Sequence, residues 1–309
     1  MKKVFIDGSA GTTGLRIFER LQGRKDLELI VLSEAERKDS LSRARALNAA
    51  DVAILCLPDA AAREAVSMIE NPETVVLDTS TAHRTAPGWV YGFPELSKER
   101  AEAVRTAKRI AVPGCHASGF IALTAPLTAA GILPPATALS CFSLTGYSGG
   151  GKKMIAEYEA DPKPALFHAP RQYALGQAHK HLPEMAAESG LPAPVFCPVV
   201  GDFYSGMQVT VPLFAATCAP GTTPEKIADV YRKTYTGPVV TFAEAPDENG
   251  FLSAASMAGK DSMKVSVSGN DERMLLLAVY DNLGKGASGA ALQCLNMVLG
   301  AEPTQGLCL

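Results

Sequence analysis

The chain reads as an α/β protein in two parts, and three observations carry that expectation. A short β-branched and aromatic run, Lys2 to Asp7, leads into the turn Gly8-Ser9-Ala10-Gly11-Thr12-Thr13-Gly14, which is followed by apolar residues at helical spacing up to Leu21. Apolar runs at 51–57 and 74–78, of the kind found in parallel strands buried on both faces, alternate with helical segments. Beyond Pro134-Pro135 the pattern changes to antiparallel-looking strands with long connections, which reads as an α+β second domain.

The elements follow in order. Strand, glycine-rich turn and helix form a dinucleotide-binding Rossmann opening: the glycines let the backbone approach a pyrophosphate, and the helix N-terminus faces its charge. The spacing is GxxGxxG rather than GxGxxG, so a plain β–turn–α unit is the alternative. The second strand, 27–32, ends at Ser33-Glu34-Ala-Glu-Arg37-Lys38. A small hydroxyl with nearby bases suits the 2′-phosphate of NADP better than the ribose of NAD, although Glu34 blurs the distinction. Pro58 and Asp59 end the third strand before a helix over 60–70, and the fourth strand ends in Thr79-Ser80-Thr81-Ala-His83-Arg84. Loops at the carboxyl ends of such strands collect ligands, so Arg84 is a candidate grip for a phosphate, or an ordinary surface arginine. Tyr91 to Leu96 reads as a turn and 97–106 as a polar helix.

A strand near 109 then runs through Pro113-Gly114 into Cys115 and an apolar, Ala-rich segment that reads as a helix, with Pro126 expected to kink it or end it early. A cysteine in the first turn of a helix lies among backbone N–H groups at the positive end of the macrodipole, which favours a nucleophilic thiolate. A buried structural cysteine is the alternative. In the second domain, strands are expected over 137–144, 195–200, 207–214 and 274–280. The loop Thr145-Gly-Tyr-Ser148-Gly149-Gly-Gly-Lys152-Lys153 invites an anion, and Arg171 with Tyr173 a carboxylate. In His179-Lys180-His181, an extended backbone would put both imidazoles on one side, as an acid/base or as part of a metal site; no third ligand at metal spacing accompanies them. Asp281 to Ala291 leads into an apolar helix over 290–299, expected to return to the nucleotide-binding half.

Composition narrows the classes further. With 309 residues, 47% hydrophobic and 20% charged, the chain suffices for two cored domains. A net charge of −3 leaves no basic stripe for nucleic acid and no polybasic arm for a membrane. No signal peptide and no bilayer-spanning segment is expected. Seven cysteines, scattered and never spaced CxxC, argue against a disulfide framework and a structural zinc, so a reducing, cytoplasmic setting is the simplest reading.

Taken together, Gly8–Gly14, the 79–84 loop, Tyr91-Gly-Phe-Pro-Glu-Leu96, Pro113-Gly114-Cys115, Gly146-Tyr-Ser-Gly-Gly-Gly-Lys-Lys-Met154, His179-Lys-His-Leu-Pro-Glu-Met185 and Asp281-Asn-Leu-Gly-Lys-Gly-Ala-Ser-Gly289 resemble the short form of the N-acetyl-γ-glutamyl-phosphate reductase family. That family is related to aspartate-semialdehyde dehydrogenase and more distantly to glyceraldehyde-3-phosphate dehydrogenase. The resemblance covers essentially the whole chain. It implies a glyceraldehyde-3-phosphate-dehydrogenase-like fold with an NADP-binding domain at 1–115 plus 284–309 and a catalytic, oligomerising α+β domain at 116–283. It implies NADPH-dependent reduction of an acyl phosphate in arginine biosynthesis, with Cys115 as nucleophile and His179 or His181 moving the proton, His179 preferred. Cofactor contacts are implied for the 8–14 turn, for Ser33 and Arg37 at the 2′-phosphate, for Leu57, Pro58 and Ser80, and for Asn282 with Gly286 at the nicotinamide. Arg84, Ser148, Gly149 and Lys152 are implied for the phosphate, and Arg171 for the substrate carboxylate. No metal is implied, and a homodimer or homotetramer is expected.

Three residues depart from the usual family pattern: Val112 stands for Asn, and His116 and Ser118 for Tyr and Thr. His116 is read as a surface or supporting residue. The rival readings are the same chemistry on aspartyl phosphate or an amino-adipyl homologue, and a non-catalytic NADP-binding sensor.

Overall fold

The computed structural model describes residues 1–309 and divides them into two compact units. The first comprises residues 1–94, 98–114 and 287–307, and the second 95–97, 115–286 and 308–309.

In the first unit, β1 (Lys2–Asp7), α1 (Thr12–Leu21), β2 (Leu27–Ile30), α2 (Ser40–Ala49), β3 (Val52–Leu55), α3 (Asp59–Ser67), β4 (Val75–Asp78), β5 (Val90–Tyr91), α4 (Lys98–Thr106) and β6 (Arg109–Ala111) follow in order. The six strands form one parallel sheet, ordered β2-β1-β3-β4-β6-β5. Its core explains the apolar runs. Val4, Ile6, Val52, Ile54 and Leu77 face one cluster with Ile17 and Leu21 of α1, Val104 of α4 and Leu292 and Leu295 of the helix Gly289–Val298. The intervening Phe5, Ala53, Leu55 and Val76 face another with Leu47 of α2 and Ala65 of α3. Strands covered on both faces must be apolar at every position. The carboxyl ends of β1, β3 and β4 place the 8–14 turn, Leu57-Pro58 and the 79–84 loop at one edge of the sheet. The last helix returns to this unit, preceded by a π-helical turn at Gly284–Ser288.

The second unit holds α5 (Cys115–Ala129), β7 (Ser140–Gly146), α6 (Gly151–Tyr158), β8 (Arg171–Gln172), α7 (Leu182–Ser189), β9 (Val195–Gly201), β10 (Met207–Phe214), α8 (Pro224–Thr234), β11 (Val240–Phe242), β12 (Met263–Gly269) and β13 (Arg273–Tyr280). Its sheet is ordered β11-β12-β13-β10-β7-β9-β8 and is mixed rather than antiparallel, because β7 pairs with β9 and β11 with β12 in parallel. Strands β8, β11 and β12 were not expected; runs of two or three residues carry no readable period, and β12 is interrupted by serines. Along β10, Met207, Val209, Val211 and Leu213 point into the core while Gln208, Thr210, Pro212 and Phe214 point outward.

Pro126 neither kinks α5 to a stop nor ends it, since the helix runs on to Ala129. A proline leaves the carbonyl four residues earlier without its helical donor. Here the Tyr235 hydroxyl donates to the Ala122 carbonyl at 2.6 Å, and the Tyr231 hydroxyl to the Leu123 carbonyl at 2.6 Å. Two phenols of α8 and its C-terminus satisfy the turn that the proline opens.

Candidate active site

In the first unit, the β1–α1 turn is shaped for close backbone approach. Gly8 has φ +87°, and a Cβ there would collide with the Cys56 carbonyl, as one at Gly14 would with the carbonyl of Gly8. The N-cap Gly11 gives the first N–H groups of α1, from Thr12 and Thr13 onward, no side-chain partner. Beside this turn lies an open cleft of about 480 Å³ lined by Asp7, Gly8, Ala10, Glu34, Arg37, Lys38, Arg43, Leu57 and Ala61. Ser9 and Arg37 also line a smaller recess along β2. Ser33 is drawn into its own turn, its N–H donating to Glu36 at 2.8 Å and its hydroxyl accepting from the Glu36 N–H at 3.4 Å. Pro58 is the N-cap of α3, and Ser80 is buried with both its N–H and its hydroxyl on Asp78.

Sequence reading passed over Arg43. Its guanidinium grips the nearly buried Asp7 carboxylate at 2.9–3.3 Å at the cleft wall and reaches Glu64 at 3.5 Å. An arginine on a polar helix gives no sequence signal for that pairing.

Arg84 lies beneath the surface of the first unit. Only 9% exposed, it donates from Nε to the Val112 carbonyl at 3.0 Å and from Nη2 to the Thr79 carbonyl at 2.9 Å. It braces the 79–84 loop against the segment that precedes Cys115, because planar guanidinium donors suit two carbonyls held side by side. Val112 itself is buried in the core, so the apolar side chain at the usual Asn position is a packing residue.

In the second unit, Cys115 is the first residue of α5. A Cβ on Gly286 would stand 3.0 Å from that of Cys115, so the glycine is what lets the π-helical turn lie against the cysteine. The Tyr280 hydroxyl donates to the Cys115 carbonyl at 2.5 Å and accepts from the Gly119 N–H at 3.1 Å, tying both ends of the first helical turn to β13. Burial chiefly, and the Cys115 charge after it, push the Tyr280 and Tyr173 phenols well above their usual range.

Three of the five histidines, His116, His179 and His181, gather in this unit. His179 and His181 do not sit on a strand; they belong to the turn that opens α7, and their rings meet at 4.7 Å because the backbone folds back. The His181 N–H donates to His179 Nδ1 at 3.1 Å, which leaves the ring proton of neutral His179 on Nε2. His181 is buried with Glu184 Oε1 4.0 Å from its Nε2, whereas His179 is only half-buried. His116, read from sequence as a surface or supporting residue, is 3% exposed and lies within 5.6 Å of both other rings. Helix α5 turns its second residue inward onto β7, a direction the linear sequence does not display. Tyr173 bonds His116 rather than standing free for a carboxylate.

A second group in the unit joins Asn282 to Ser148, Nδ2 to Oγ at 3.0 Å, with Gly149 alongside and the Gly206 N–H on Asn282 Oδ1 at 2.9 Å. Lys152 is exposed, and Arg171 lies 3.5 Å over the Phe167 ring with its Nε on the Tyr158 hydroxyl at 3.1 Å.

Two family models match this chain: the semialdehyde dehydrogenase NAD-binding domain over residues 3–104 and the semialdehyde dehydrogenase dimerisation domain over residues 115–282. An N-acetyl-gamma-glutamyl-phosphate reductase of Sinorhizobium medicae is 47% identical, with 97% of this chain and 99% of that protein covered. The chain belongs to the N-acetyl-γ-glutamyl-phosphate reductase family. A second member, N-acetyl-gamma-glutamyl-phosphate reductase 2 of Pseudomonas putida, is 44% identical over 98% of each chain. The fold of this reductase family is that of solved aspartate-semialdehyde dehydrogenases. The Vibrio cholerae enzyme II matches with TM-score 0.73 at 19% identity over 97% and 98% of the two chains, and the Francisella tularensis enzyme with 0.74 at 13% over 97% and 100%. A dinucleotide fits the first unit of this reductase: the 8–14 turn, packed against backbone at Gly8 and Gly14, opens onto the cleft at the start of α1, and Arg37 and Lys38 supply cations there.

Proposed function

We propose that this chain reduces N-acetyl-L-glutamyl 5-phosphate to N-acetyl-L-glutamate 5-semialdehyde and phosphate with NADPH, a step of arginine biosynthesis. The observation that carries the reading is a cysteine at the first position of a helix, in one unit with a histidine whose Nε2–H is set by a backbone donor, within a near-full-length reductase relative. The Cys115 thiolate, favoured by the first-turn N–H groups of α5, attacks the acyl carbon; the bond to phosphate breaks and phosphate leaves with its electron pair. NADPH, when bound, supplies the hydride that reduces the resulting thioester. His179 donates from Nε2 to the oxyanion that then develops, and a donor fixed beforehand is worth most at such a charge. Collapse of the oxyanion breaks the C–S bond, returns the electron pair to Cys115 and releases the aldehyde. His181 supports the turn through its N–H, which is the reason for preferring His179.

The 8–14 turn, with Leu57, Pro58 and Ser80 at the neighbouring strand ends, is assigned the pyrophosphate side of NADPH, and Arg37 with Ser33 the 2′-phosphate. Ser148, Gly149 and Lys152 are assigned the leaving phosphate, and Asn282 the nicotinamide amide. A second copy of the chain is assigned to the outer face of the β7–β13 sheet, where Phe142, Leu275 and Phe214 are 44%, 42% and 62% exposed; a homodimer or homotetramer results. Seven free cysteines suit a cytoplasmic setting, and no helix is long and apolar enough to cross a membrane.

The test runs the reaction backward, following NADPH absorbance with N-acetylglutamate 5-semialdehyde, NADP and phosphate, and with aspartate semialdehyde in parallel. Phosphate-dependent NADPH formation with the acetylated substrate alone is expected. Activity with aspartate semialdehyde alone overturns the substrate, and silence in both overturns the reaction.

A further inference from the structure

His116 is the residue that the proposed chemistry leaves without a duty, yet it sits at the centre of the aromatic cluster. Both ring nitrogens are engaged by hydroxyls: Nδ1 lies 2.7 Å from Ser143 Oγ on β7 and Nε2 lies 2.6 Å from the Tyr173 hydroxyl. A neutral imidazole donates at one nitrogen and accepts at the other, so Ser143, His116 and Tyr173 form one directional chain in either tautomer. Around the half-buried His179, four rings make a box: His116 at 5.5 Å, Tyr173 at 6.0 Å, His181 at 4.7 Å and Phe196 at 5.1 Å, each near edge-on. His116 touches the other three as well, Phe196 at 5.3 Å, His181 at 5.6 Å and Tyr173 at 6.1 Å. It is thus the hub of the box, and its own peptide bond joins it to Cys115.

We propose that His116 is a positioning residue of the reduction: by holding Tyr173 and Ser143 it fixes the wall of the box in which His179 sits, and it ties that wall covalently to the nucleophile. The chemistry asks for such a device, because a donor misplaced by about 1 Å costs on the order of 10²-fold in rate. Burial, with the neighbouring His179 as the lesser cause, pushes the His116 imidazole down to about 3. Proton traffic is left to His179, faced by Tyr173, His181 and the neutral His116, with Cys115 acting on Tyr173 and Glu184 beside His181.

The inference rests on His179 as the acid/base, and the variants separate the two. His179→Ala is measured first; an unimpaired kcat removes that role and this proposal with it. With His179→Ala impaired, His116→Phe is expected to lower kcat about 10- to 100-fold, with the KM for NADP unchanged and the limbs of the pH–rate profile retained. His116→Gln keeps a polar atom near the Nε2 position and is expected to recover most of the loss, whereas His116→Asn, whose side chain reaches only the Nδ1 position, is not. Tyr173→Phe is expected to reproduce the loss in a folded protein, and His116→Phe/Tyr173→Phe to be no worse than the poorer single variant. Losses that multiply, a pH limb that vanishes in His116→Phe, or a kcat unchanged in Tyr173→Phe each overturn it.

Discussion

Cys115 owes its place to two neighbours far along the chain: Gly286, without a side chain to hold it off, and Tyr280, whose hydroxyl spans the first turn of α5. Cys115→Ser is expected to abolish turnover while NADPH binding, followed by nucleotide fluorescence, stays intact; substantial residual activity removes the nucleophile. His179→Ala is expected to cost about 10²–10⁴-fold in kcat, and His181→Ala much less, since alanine keeps the N–H that sets the His179 tautomer. Equal losses would move the acid/base role to both rings. His116 also makes a pH statement. Its folded-state value, about 3, lies below the ordinary histidine value, so the unfolded chain binds the extra proton between the two. Stability from this site is complete above about pH 6.5 and is lost as the pH falls toward 3. The denaturation midpoint of the parent should therefore drop more steeply over that range than that of His116→Phe; parallel slopes would contradict it.

At the scale of the element, α5 is a helix that runs past a proline its sequence places inside it. It carries a proline near its end and the cysteine at its start, and both are braced from outside, by Tyr235 and Tyr231 at one and Tyr280 at the other. Tyr235→Phe leaves the buried Ala122 carbonyl without its donor and is expected to cost about 1–3 kcal/mol, read by denaturant unfolding. In a Pro126→Ala background the new N–H can serve that carbonyl, and the cost of Tyr235→Phe should shrink. An equal cost in both backgrounds would mean that the phenol acts by packing instead. The His179–His181 turn depends in the same way on α7, whose start brings the His181 N–H onto the neighbouring ring.

For the molecule as a whole, each unit carries its own part of the proposed chemistry: the cleft beside the 8–14 turn in the first, the cysteine and histidines in the second. Arg37→Ala is expected to raise the KM for NADP about tenfold or more, by loss of a charge-assisted contact, with little effect on NAD; an equal change for both nucleotides would remove Arg37 from the 2′-phosphate. On the outer sheet face, Phe142→Glu is expected to shift the molar mass in light scattering toward the monomer. A mass that is already monomeric in the parent, or unchanged in the variant, contradicts the self-association reading.

The parallel sheet was legible in advance because a strand buried on both faces has to be apolar throughout, and Val52–Leu55 is. The glycine turn was legible because Gly8 and Gly14 meet backbone where any Cβ would go. Local sequence also carried Cys115 to a helix start, since Pro113-Gly114 breaks the strand before it. The rest depended on contacts between residues far apart in the chain. Arg84 turned inward because two carbonyls awaited it, α5 passed Pro126 because phenols about 110 positions on supplied the missing donors, and His116 became buried because β7 and Tyr173 closed over it. Backbone propensity and burial patterning act over a few residues and can be read along the chain. Hydrogen-bond satisfaction in a packed interior is settled only by which distant groups arrive, and that follows from the folded arrangement alone.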